Sequence, residues 1–259
     1  MTDSLSALMQ IAASGMLAQQ FHMEMLTNNI ANINTPGFKR SRVNFQEVLS
    51  AQAQTGGVTP GELAGLGGVI PAGSQRMFSQ GALHASENPW DLAIAGEGFF
   101  AVTLPDGSTG YTRDGSFQLN AEGQLVTNQG YPLTTPITIP EDTETAHVNP
   151  DGTVMIQRTG STETEEIGTV SLTQFANPEG LEAMGNNLFL ATDASGAAQE
   201  GQASQKGLGE IVSQAREESN VDLSEEMTEM IVAQRAYSLA LRAVQTVDQM
   251  LALANDLRP

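Results

Sequence analysis

A long, almost uncharged helical pattern occupies residues 5–33, LSALMQIAASGMLAQQFHMEMLTNNIANI. Its only ionisable side chains are those of His22 and Glu24. Apolar residues recur at alternating steps of three and four, as in a coiled-coil seam, and only Gln19 interrupts them. Further apolar residues lie on the other faces, which is typical of a helix that is buried from several sides. The seam consists of Leu5, Met9, Ala12, Met16, Met23, Leu26, Ile30 and Ile33.

A second helical pattern begins near residue 222, DLSEEMTEMIVAQRAYSLALRAVQTVDQML through residue 251. Asp222 followed by Glu225 predicts the helix N-terminus, because this spacing suits a cap and its reaching-back partner. A helix of roughly 35 residues is about 50 Å long, so one β-domain of this size does not cover two such helices. The pattern favours packing into an assembly, and an intramolecular helical hairpin is the alternative. The seam consists of Leu223, Met227, Met230, Gln234, Tyr237, Leu241, Val244, Asp248 and Leu251, so Gln234 and Asp248 interrupt its apolar pattern. Beside it lies a small-residue face of Ala233, Ala236, Ala240, Val247 and Ala254.

The composition excludes several classes of function. Thirty acidic residues face eleven basic ones, for a net charge of −19, which argues against binding to nucleic acid or to anionic membranes. The chain has no cysteine, so it has no disulfide or thiolate chemistry. His22, His84 and His147 are scattered, without metal-ligand spacing. We therefore predict a protein without enzymatic activity, cofactor or metal.

The export route is also constrained by the sequence. Lys39 is the first basic residue, so the positively charged region that opens a signal peptide is missing. No stretch of 18 apolar residues exists, so no transmembrane span is expected. A role outside the cytoplasm would require a different export route.

The middle of the chain is predicted to be antiparallel β-structure. Thr35-Pro36-Gly37 ends the first helix, a short helical or extended piece covers 43–49, and 52–73 is predicted to be a long loop or arm. Turn signals then recur about every ten residues, as in a β-meander. Residues 177–209 are polar and predicted to be the return to the second helix. The predicted strands are 99–104, 110–113, 116–119, 124–127, 136–139, 154–158 and 168–175.

These patterns predict an α+β chain with helices near both ends and a central antiparallel β-domain. The predicted boundaries are 1–38 for the first helix, 39–85 for the arm or linker, 86–209 for the β-domain and 210–259 for the second helix.

Charge placement suggests contacts that set the register of the helices. Lys39, Arg40 and Arg42 lie together after the first helix. Acidic residues concentrate around the start of the second helix, where they also suit the helix dipole. One hypothesis is that the basic and acidic runs meet, within one subunit or between subunits, and set the register. The alternative is that both runs are simply exposed to solvent. The candidate acidic partners are Glu225, Glu226 and Glu229, with Glu217, Glu218 and Asp222 nearby.

Three blocks of this sequence resemble the axial rod and hook family of the bacterial flagellum. They are NNIANINTPGFKR at 28–40, GEGFFAVTLPDGSTGYTRDGSFQLNAEGQLVTNQGYPL at 96–133, and SNVDLSEEMTEMIVAQRAYSLALRAVQTVDQML at 219–251. With their spacing, the blocks cover nearly the whole chain. The AQRAY run with VQTVDQML resembles distal-rod members more than proximal-rod members, and the length argues against the hook protein.

The resemblance implies a structural subunit of the distal rod. Such proteins leave through the flagellar type III export machinery without a cleaved signal and polymerise into a hollow helical drive shaft across the periplasm. Their terminal helices pair as a coiled coil that lines the inner tube. The implied partners are further copies of the chain, proximal rod proteins, the hook protein, the P and L ring proteins and the rod cap.

The resemblance also assigns a role to the predicted arm, since family members use this region for contacts that stiffen the rod. Two alternatives are a proximal-rod or other axial member, and a carbohydrate- or peptide-binding β-module with helical anchors. The latter would need a cleft with exposed aromatics, and Trp90 is the only tryptophan. The candidate intersubunit residues of the arm are Val58, Pro60, Leu63, Leu66, Val69 and Pro71.

Overall fold

The computed structural model of the chain describes residues 2–49, 67–140, 142–160, 163–205 and 207–256. The two predicted helices are present as α1 (Thr2–Ala31) and α2 (Leu223–Asp256), and Pro178–Gly180 form one 3-10 turn. The strands are β1 (Ser41–Leu49), β2 (Gly67–Arg76), β3 (Leu83–Ala85), β4 (Leu92–Ala95), β5 (Phe99–Thr103), β6 (Thr109–Thr112), β7 (Gln118–Leu119), β8 (Leu125–Val126), β9 (Thr143–Val148), β10 (Thr153–Arg158), β11 (Thr164–Thr169), β12 (Ser171–Gln174), β13 (Glu182–Gly185), β14 (Leu188–Leu190), β15 (Gln199–Gln202), β16 (Glu210–Ser213) and β17 (Ala215–Glu217).

The strand pairings are antiparallel, so the predicted α+β class with mainly antiparallel sheets is confirmed. The largest sheet has six strands in the order β13-β14-β6-β5-β12-β15. A three-stranded sheet has the order β11-β10-β9, and the remaining strands form pairs. Glycines with positive φ occupy several predicted turns, including Gly107 at 83° and Gly152 at 88°.

The chain divides into two compact units, each made of separated segments. The first unit comprises Met1–Ala31, Ser41–Arg76 and Asp222–Pro259, and in its described part α1 contacts both α2 and the β1–β2 hairpin. One of these contacts is a hydrogen bond of 3.3 Å, donated by the backbone N–H of Val69 to Oγ of Ser14.

The second unit comprises Asn32–Arg40 and Met77–Val221 and contains the β-structure other than β1 and β2. Its main core lies between the sheets and is built from aliphatic residues with Phe100 and Phe117. A second cluster consists of aromatic rings in edge-to-face contact, including Phe99 against Phe175 at 5.8 Å between centroids. The low aromatic content of the chain is therefore concentrated where it stabilises the β-unit.

The prediction of a loop or arm over 52–73 is wrong for its last part. Residues 52–66 lie outside the described residues, whereas 67–73 belong to β2 and pair with β1. Glycine and proline have low strand propensity, but pairing with β1 overrides this local preference. The register shift between Asn44 and Phe45 leaves Ala72 as an extra residue beside Pro71, and bulges are places that tolerate proline.

Two other segments also differ from their predictions. Residues 177–209, predicted to be the polar return to the second helix, contain the hairpin of β13 and β14 and the strand β15. β14 also pairs with the distant β6, and β15 pairs with β12. Residues 136–139, predicted to be a strand, form only an isolated bridge between Thr138 and Gln124. Pro136 begins this segment and Pro140 follows it, and the missing N–H groups of these prolines limit the ladder.

The observed units depart from the predicted boundaries at 38/39, 85/86 and 209/210. Residues 32–40 belong to the second unit, although they directly follow α1. β16 and β17 also belong to the second unit because they pair with β4 and β3. Within the predicted linker of 39–85, the described residues 41–49 and 67–76 pair as β1 and β2 in the same unit as the helices. Long-range strand pairing, which local composition does not reveal, sets these boundaries.

Candidate assembly surface

The predicted seam of α1 is partly covered in the single chain, and the buried Ala18 and Asn29 lie outside it. Leu26 is only 2% exposed, whereas Leu17, outside the seam, is 64% exposed. Leu5 belongs to α1, but its side chain lies outside the described residues, and Ile33 follows the helix in the second unit. The half-buried members of the seam are Met9, Ala12, Met16, Met23 and Ile30.

The predicted seam of α2 is only partly covered in the single chain. Met230, Tyr237 and Val244 are half-buried, but Met227 is 53% and Leu241 is 41% exposed. Each residue advances a helix by about 100°, which places the covered side about 60° away from the seam, toward the small-residue face. Ala233, at 2% exposure, lies at its centre, flanked by the half-buried Ala236, Ala240 and Val247. Leu251 lies in α2, with its side chain outside the described residues.

Eight large apolar side chains of α2, named at the end of this paragraph, remain exposed. Together they are called the apolar surface of α2. Patches of this kind on soluble proteins mark interaction sites, since water contact with them is unfavourable. Because these side chains lie on several faces of α2, other helices could pack against it from more than one side. The surface comprises Leu223, Met227, Ile231, Val232, Leu239, Leu241, Met250 and Leu253.

A buried polar connection joins α1, β1 and α2. Asn29 donates hydrogen bonds from Nδ2 to the carbonyl oxygen of Ser41 at 2.9 Å and to Oε2 of Glu226 at 3.0 Å. Its Oδ1 accepts a hydrogen bond of 2.9 Å from the backbone N–H of Ser41. Asn29 and Glu226 are both buried. A buried polar group of this kind favours one helix register, because other registers leave it unsatisfied.

The predicted start of the second helix is confirmed. Oδ1 of Asp222 accepts hydrogen bonds from the backbone N–H groups of Ser224 at 2.8 Å and Glu225 at 3.2 Å. These bonds satisfy donors that have no partner within the helix. Glu225 and Glu226 lie in the first turn, where negative charge suits the helix dipole.

A second buried cluster lies in the β-containing unit and is centred on Glu217. Its Oε1 accepts hydrogen bonds from Nζ of Lys39 at 2.5 Å and from the backbone N–H of Gly81 at 2.9 Å. Its Oε2 lies 3.4 Å from Nη1 of Arg113. Lys39 also donates to the carbonyl oxygen of Ser79 at 2.8 Å. Burial lowers the pKa of Lys39, although the Glu217 carboxylate opposes this effect.

Arg113 extends this cluster toward the sheet. Its Nη2 donates a hydrogen bond of 2.7 Å to the carbonyl oxygen of Gly96, and its guanidinium carbon lies 5.4 Å from the ring centroid of Phe99. Burial lowers its pKa, with Glu217 and Glu97 opposing the effect. Arg113 was not predicted to be a functional residue, and its local sequence, a lone cation after the strand TGYT, gives little sign of its burial.

Residues 32–40 dock tightly within the second unit. Gly37 donates from its backbone N–H to the carbonyl oxygen of Glu217 at 2.8 Å, and its φ is +67°. A Cβ at this position would lie 2.5 Å from the backbone nitrogen of Asp114, so a side chain does not fit. Asn187 donates from Nδ2 to the carbonyl oxygen of Pro36 at 2.8 Å. The Thr-Pro-Gly turn thus ends α1 and also packs against the β-structure of its own unit.

The predicted register charges have different surroundings. Lys39 pairs with Glu217, so the basic and acidic runs do meet at this point. The backbone N–H of Arg40 donates to Oδ1 of Asn220 at 2.7 Å, and Arg42 is exposed. Glu229 instead lies 3.7 Å from Nε2 of His22, which is half-buried on α1.

The candidate arm residues are described only at the end of the segment. Val58, Pro60, Leu63 and Leu66 lie outside the described residues. Val69 and Pro71 lie in β2 and are exposed. The hairpin presents further exposed apolar side chains at Phe45 and Ile70, so it is a second surface able to contact a partner.

The described residues include no group of three or more His, Asp or Glu side chains placed to hold a metal ion. Neither described helix is long and apolar enough to cross a membrane.

Comparison with known proteins identifies three flagellar families along the chain. Residues 9–39 match "Flagella basal body rod protein", residues 93–156 match "Flagellar hook protein FlgE/F/G D1 domain", and residues 212–257 match "Flagellar basal body rod FlgEFG protein C-terminal". These matched segments include most of α1, part of the β-structure and the whole of α2.

Curated relatives match over nearly their whole length. The chain is similar to "Flagellar basal-body rod protein FlgG" of Caulobacter vibrioides, with 41% identity over 96% of this chain and 98% of the relative. The same-named protein of Borreliella burgdorferi is 40% identical over 95% of this chain and 97% of the relative. The same-named protein of Buchnera aphidicola subsp. Schizaphis graminum is 40% identical over 93% of this chain and 95% of the relative.

Proposed function

The chain belongs to the FlgG family of flagellar basal-body rod proteins, and from this premise we propose that it polymerises through α1 and α2 into the hollow distal rod. It is a structural subunit of the flagellar basal body rather than an enzyme. The proposal adds the surface through which subunits assemble and the part of the rod that they form.

The observation that carries the proposal is the apolar surface of α2. Leu241 and Met227 belong to the predicted coiled-coil seam, yet they remain exposed when only one chain is present. Burying apolar area contributes about 25 cal/mol per Å², and a polymer repeats this gain at every subunit. Helices of neighbouring copies are the partners that best match a helical seam.

We further propose that α1 and α2 pair as a coiled coil facing the inside of a tube. Their contact within the chain supports this pairing, and the Asn29–Glu226 hydrogen bond supports a fixed register. The coiled coil covers the small-residue side of α2, which leaves the Leu241 side for neighbouring subunits. Torque would then pass between subunits through interlocked helices toward the hook.

The β1–β2 hairpin and residues 52–66 are proposed to contact neighbouring subunits outside this tube. Exposed Phe45, Val69 and Ile70 support this role for the hairpin. Removing 52–66 should leave the unfolding free energy nearly unchanged, because loop closure depends weakly on length. Electron microscopy should show rods that are curved or irregular. Straight rods of parental length would assign stiffness to other contacts.

The remaining expectations concern location and partners. We propose export through the flagellar type III machinery without a cleaved signal peptide, followed by assembly across the periplasm. Contacts are proposed with proximal rod proteins at one end, the hook protein at the other, the P and L rings around the shaft, and a rod cap during growth.

Leu241→Asp tests the proposed function in a strain that lacks the parental copy. The substitution places a carboxylate in every intersubunit seam, where an unpaired charge is strongly unfavourable. We expect soluble subunit but no rod, hook or swimming. Leu241→Met is the matched control, because it preserves apolar volume and should restore swimming. Normal rods with Leu241→Asp would contradict the proposal.

A further inference from the structure

We propose that the second unit carries a binding cleft for a neutral sugar, formed around Trp90, Glu144 and Gln214. The cleft has a volume of about 570 Å³, within the range of roughly 300–1,000 Å³ that is typical of small-molecule sites. Apolar walls come from Pro89, Leu119 and Ile139. The cleft belongs to neither helix, so the inference is independent of how the chain polymerises.

Trp90 supplies the aromatic side of the cleft. It is half-buried and packs against the main core of the unit, which limits the number of conformations that its ring can adopt. Its backbone N–H donates to Oδ1 of Asn88 at 3.1 Å. Within the described residues its indole N–H has no hydrogen-bond partner, so this donor is available to a ligand.

An ion pair between the buried carboxylate of Asp91 and the exposed side chain of Arg216 links two sides of the cleft. Asp91, next to Trp90, accepts a hydrogen bond of 2.6 Å from Nε of Arg216 and one of 3.0 Å from Nδ2 of Asn88. Arg216 lies two residues after Gln214, whose φ is +53°. A non-glycine residue rarely adopts this conformation unless its surroundings fix it. Trp90 and Gln214 are thus positioned by one buried group, which reduces the entropy lost on binding.

The polar lining selects the chemical class of the ligand. No lysine or arginine lines the cleft in the described chain, and Glu144 is acidic, so phosphates and other anions are disfavoured. The Gln214 amide both donates and accepts, the Glu144 carboxylate accepts, and the Trp90 indole donates. No other described residue bonds the side chains of Glu144 or Gln214. Such donors and acceptors beside an aromatic ring match the hydroxyl groups and apolar face of a neutral sugar.

Tryptophan fluorescence of the full-length monomer tests this inference directly, since Trp90 is the only tryptophan in the chain. The probes are maltotriose, cellotriose and tri-N-acetylchitotriose, with trigalacturonic acid as an anionic comparison. We expect a saturable change with at least one neutral trisaccharide and none with the anionic one. A synthetic peptide of residues 52–66 tests whether the cleft instead receives an extended peptide.

Three variants test whether a fluorescence or NMR response comes from binding in the cleft. Gln214→Ala removes one hydrogen-bonding group and should weaken binding at least about fivefold. Gln129→Ala removes an exposed amide outside the cleft and should bind as the parent does. Trp90→Leu removes the fluorophore, so binding to this variant is followed by amide NMR. Its spectrum should be that of a folded chain, and its amide shifts should not change when sugar is added. No saturable response to any neutral sugar, a response to the peptide alone, or equal weakening by Gln129→Ala would overturn the inference.

Discussion

Glu217 is the single residue whose removal should destabilise the β-containing unit most. Its buried carboxylate faces two buried cations, Lys39 and Arg113. Replacing a buried ion pair by apolar residues is often neutral, but removing one partner leaves an uncompensated charge. Glu217→Gln should therefore lower the unfolding free energy by about 3–5 kcal/mol. Urea unfolding followed by tryptophan fluorescence measures this change, because Trp90 lies in the same unit.

The neighbouring residue provides the control for that substitution. Glu218 is exposed, and its carboxylate lies 3.4 Å from Nε2 of His84 at the surface. Glu218→Gln should change stability by less than about 0.5 kcal/mol, as is usual for surface positions. Equal effects of the two substitutions would show that the buried cluster does not hold the unit together.

The protonation of Asp114 makes the unfolding free energy of the β-containing unit depend on pH. Burial raises its pKa above 3.8, with nearby Asp91 adding to the effect, while hydrogen bonds from Ser116 and the charge of Arg216 oppose it. The folded chain therefore binds this proton more tightly than the unfolded chain. The resulting stabilisation is complete below about pH 3.8, the unfolded value, and is lost as the pH rises through the folded pKa.

Asp114→Asn should remove this pH dependence. The asparagine variant should gain stability relative to the parent as the pH increases from about 3.8 upward. Parallel urea unfolding of both proteins at pH 3.5, 5 and 7 measures the difference. A difference that is constant over this range would contradict the assignment of a raised pKa to Asp114.

The sequence identified apolar residues better than their polar partners. Repeating steps of three and four marked the α1 seam that includes Leu26, because helical periodicity is a local property. Asn29 and Arg113 were missed because their partners lie far along the chain. Asn29 bonds Glu226 at a separation of 197 residues, and Arg113 bonds Glu217 at a separation of 104. Only the folded chain brings these groups together.

At the scale of elements, the two helices have the same kind of pattern but different surroundings. Leu26 of α1 is buried within the chain, whereas Leu241 of α2 is partly exposed. Leu26→Asp should therefore destabilise the folded chain by several kcal/mol. Leu241→Asp should change the stability of the monomer by less than about 0.5 kcal/mol. Helical circular dichroism during urea unfolding of the two monomers distinguishes these outcomes.

A similar loss of stability in both variants would mean that the Leu241 side is already covered within the chain. Leu26→Ala is a useful intermediate, with an expected loss of about 2–5 kcal/mol from the cavity that it leaves. Its effect would separate the contribution of packing from that of the buried charge.

The helices and most turns were predictable because their signals are local. Asp222 marked the start of α2, and prolines and glycines marked the end of α1 and the hairpins. The predictions failed where strand formation depends on a partner outside the local segment, as in β2, β14 and β15. The apolar pattern of α2 was predicted, but α1 covers only some of the residues in that predicted seam.

At the scale of the whole molecule, residues 32–40 decide where the β-containing unit begins. They supply Lys39 and Gly37, which bond Glu217 in that unit. A fragment of residues 32–221 should therefore fold around the same core. A fragment of residues 41–221 leaves Glu217 without Lys39, and should be about 3–5 kcal/mol less stable.

Urea unfolding of both fragments tests this boundary, with the Glu217→Gln variant of the longer fragment as the matched comparison. If residues 32–40 were only a linker to α1, both fragments would be equally stable. The result also separates folding of the β-containing unit from assembly, since neither fragment contains α1 or α2.

Site-specific photo-cross-linking from position 241 tests most directly whether the apolar surface of α2 is an interface between subunits. Benzoylphenylalanine replaces Leu241, and assembled basal bodies and free monomer are irradiated in parallel. Because every subunit carries the group, the account predicts a ladder of covalently linked copies from basal bodies and none from monomer. Basal bodies that contain this subunit but yield no cross-linked copies would contradict assembly through α2.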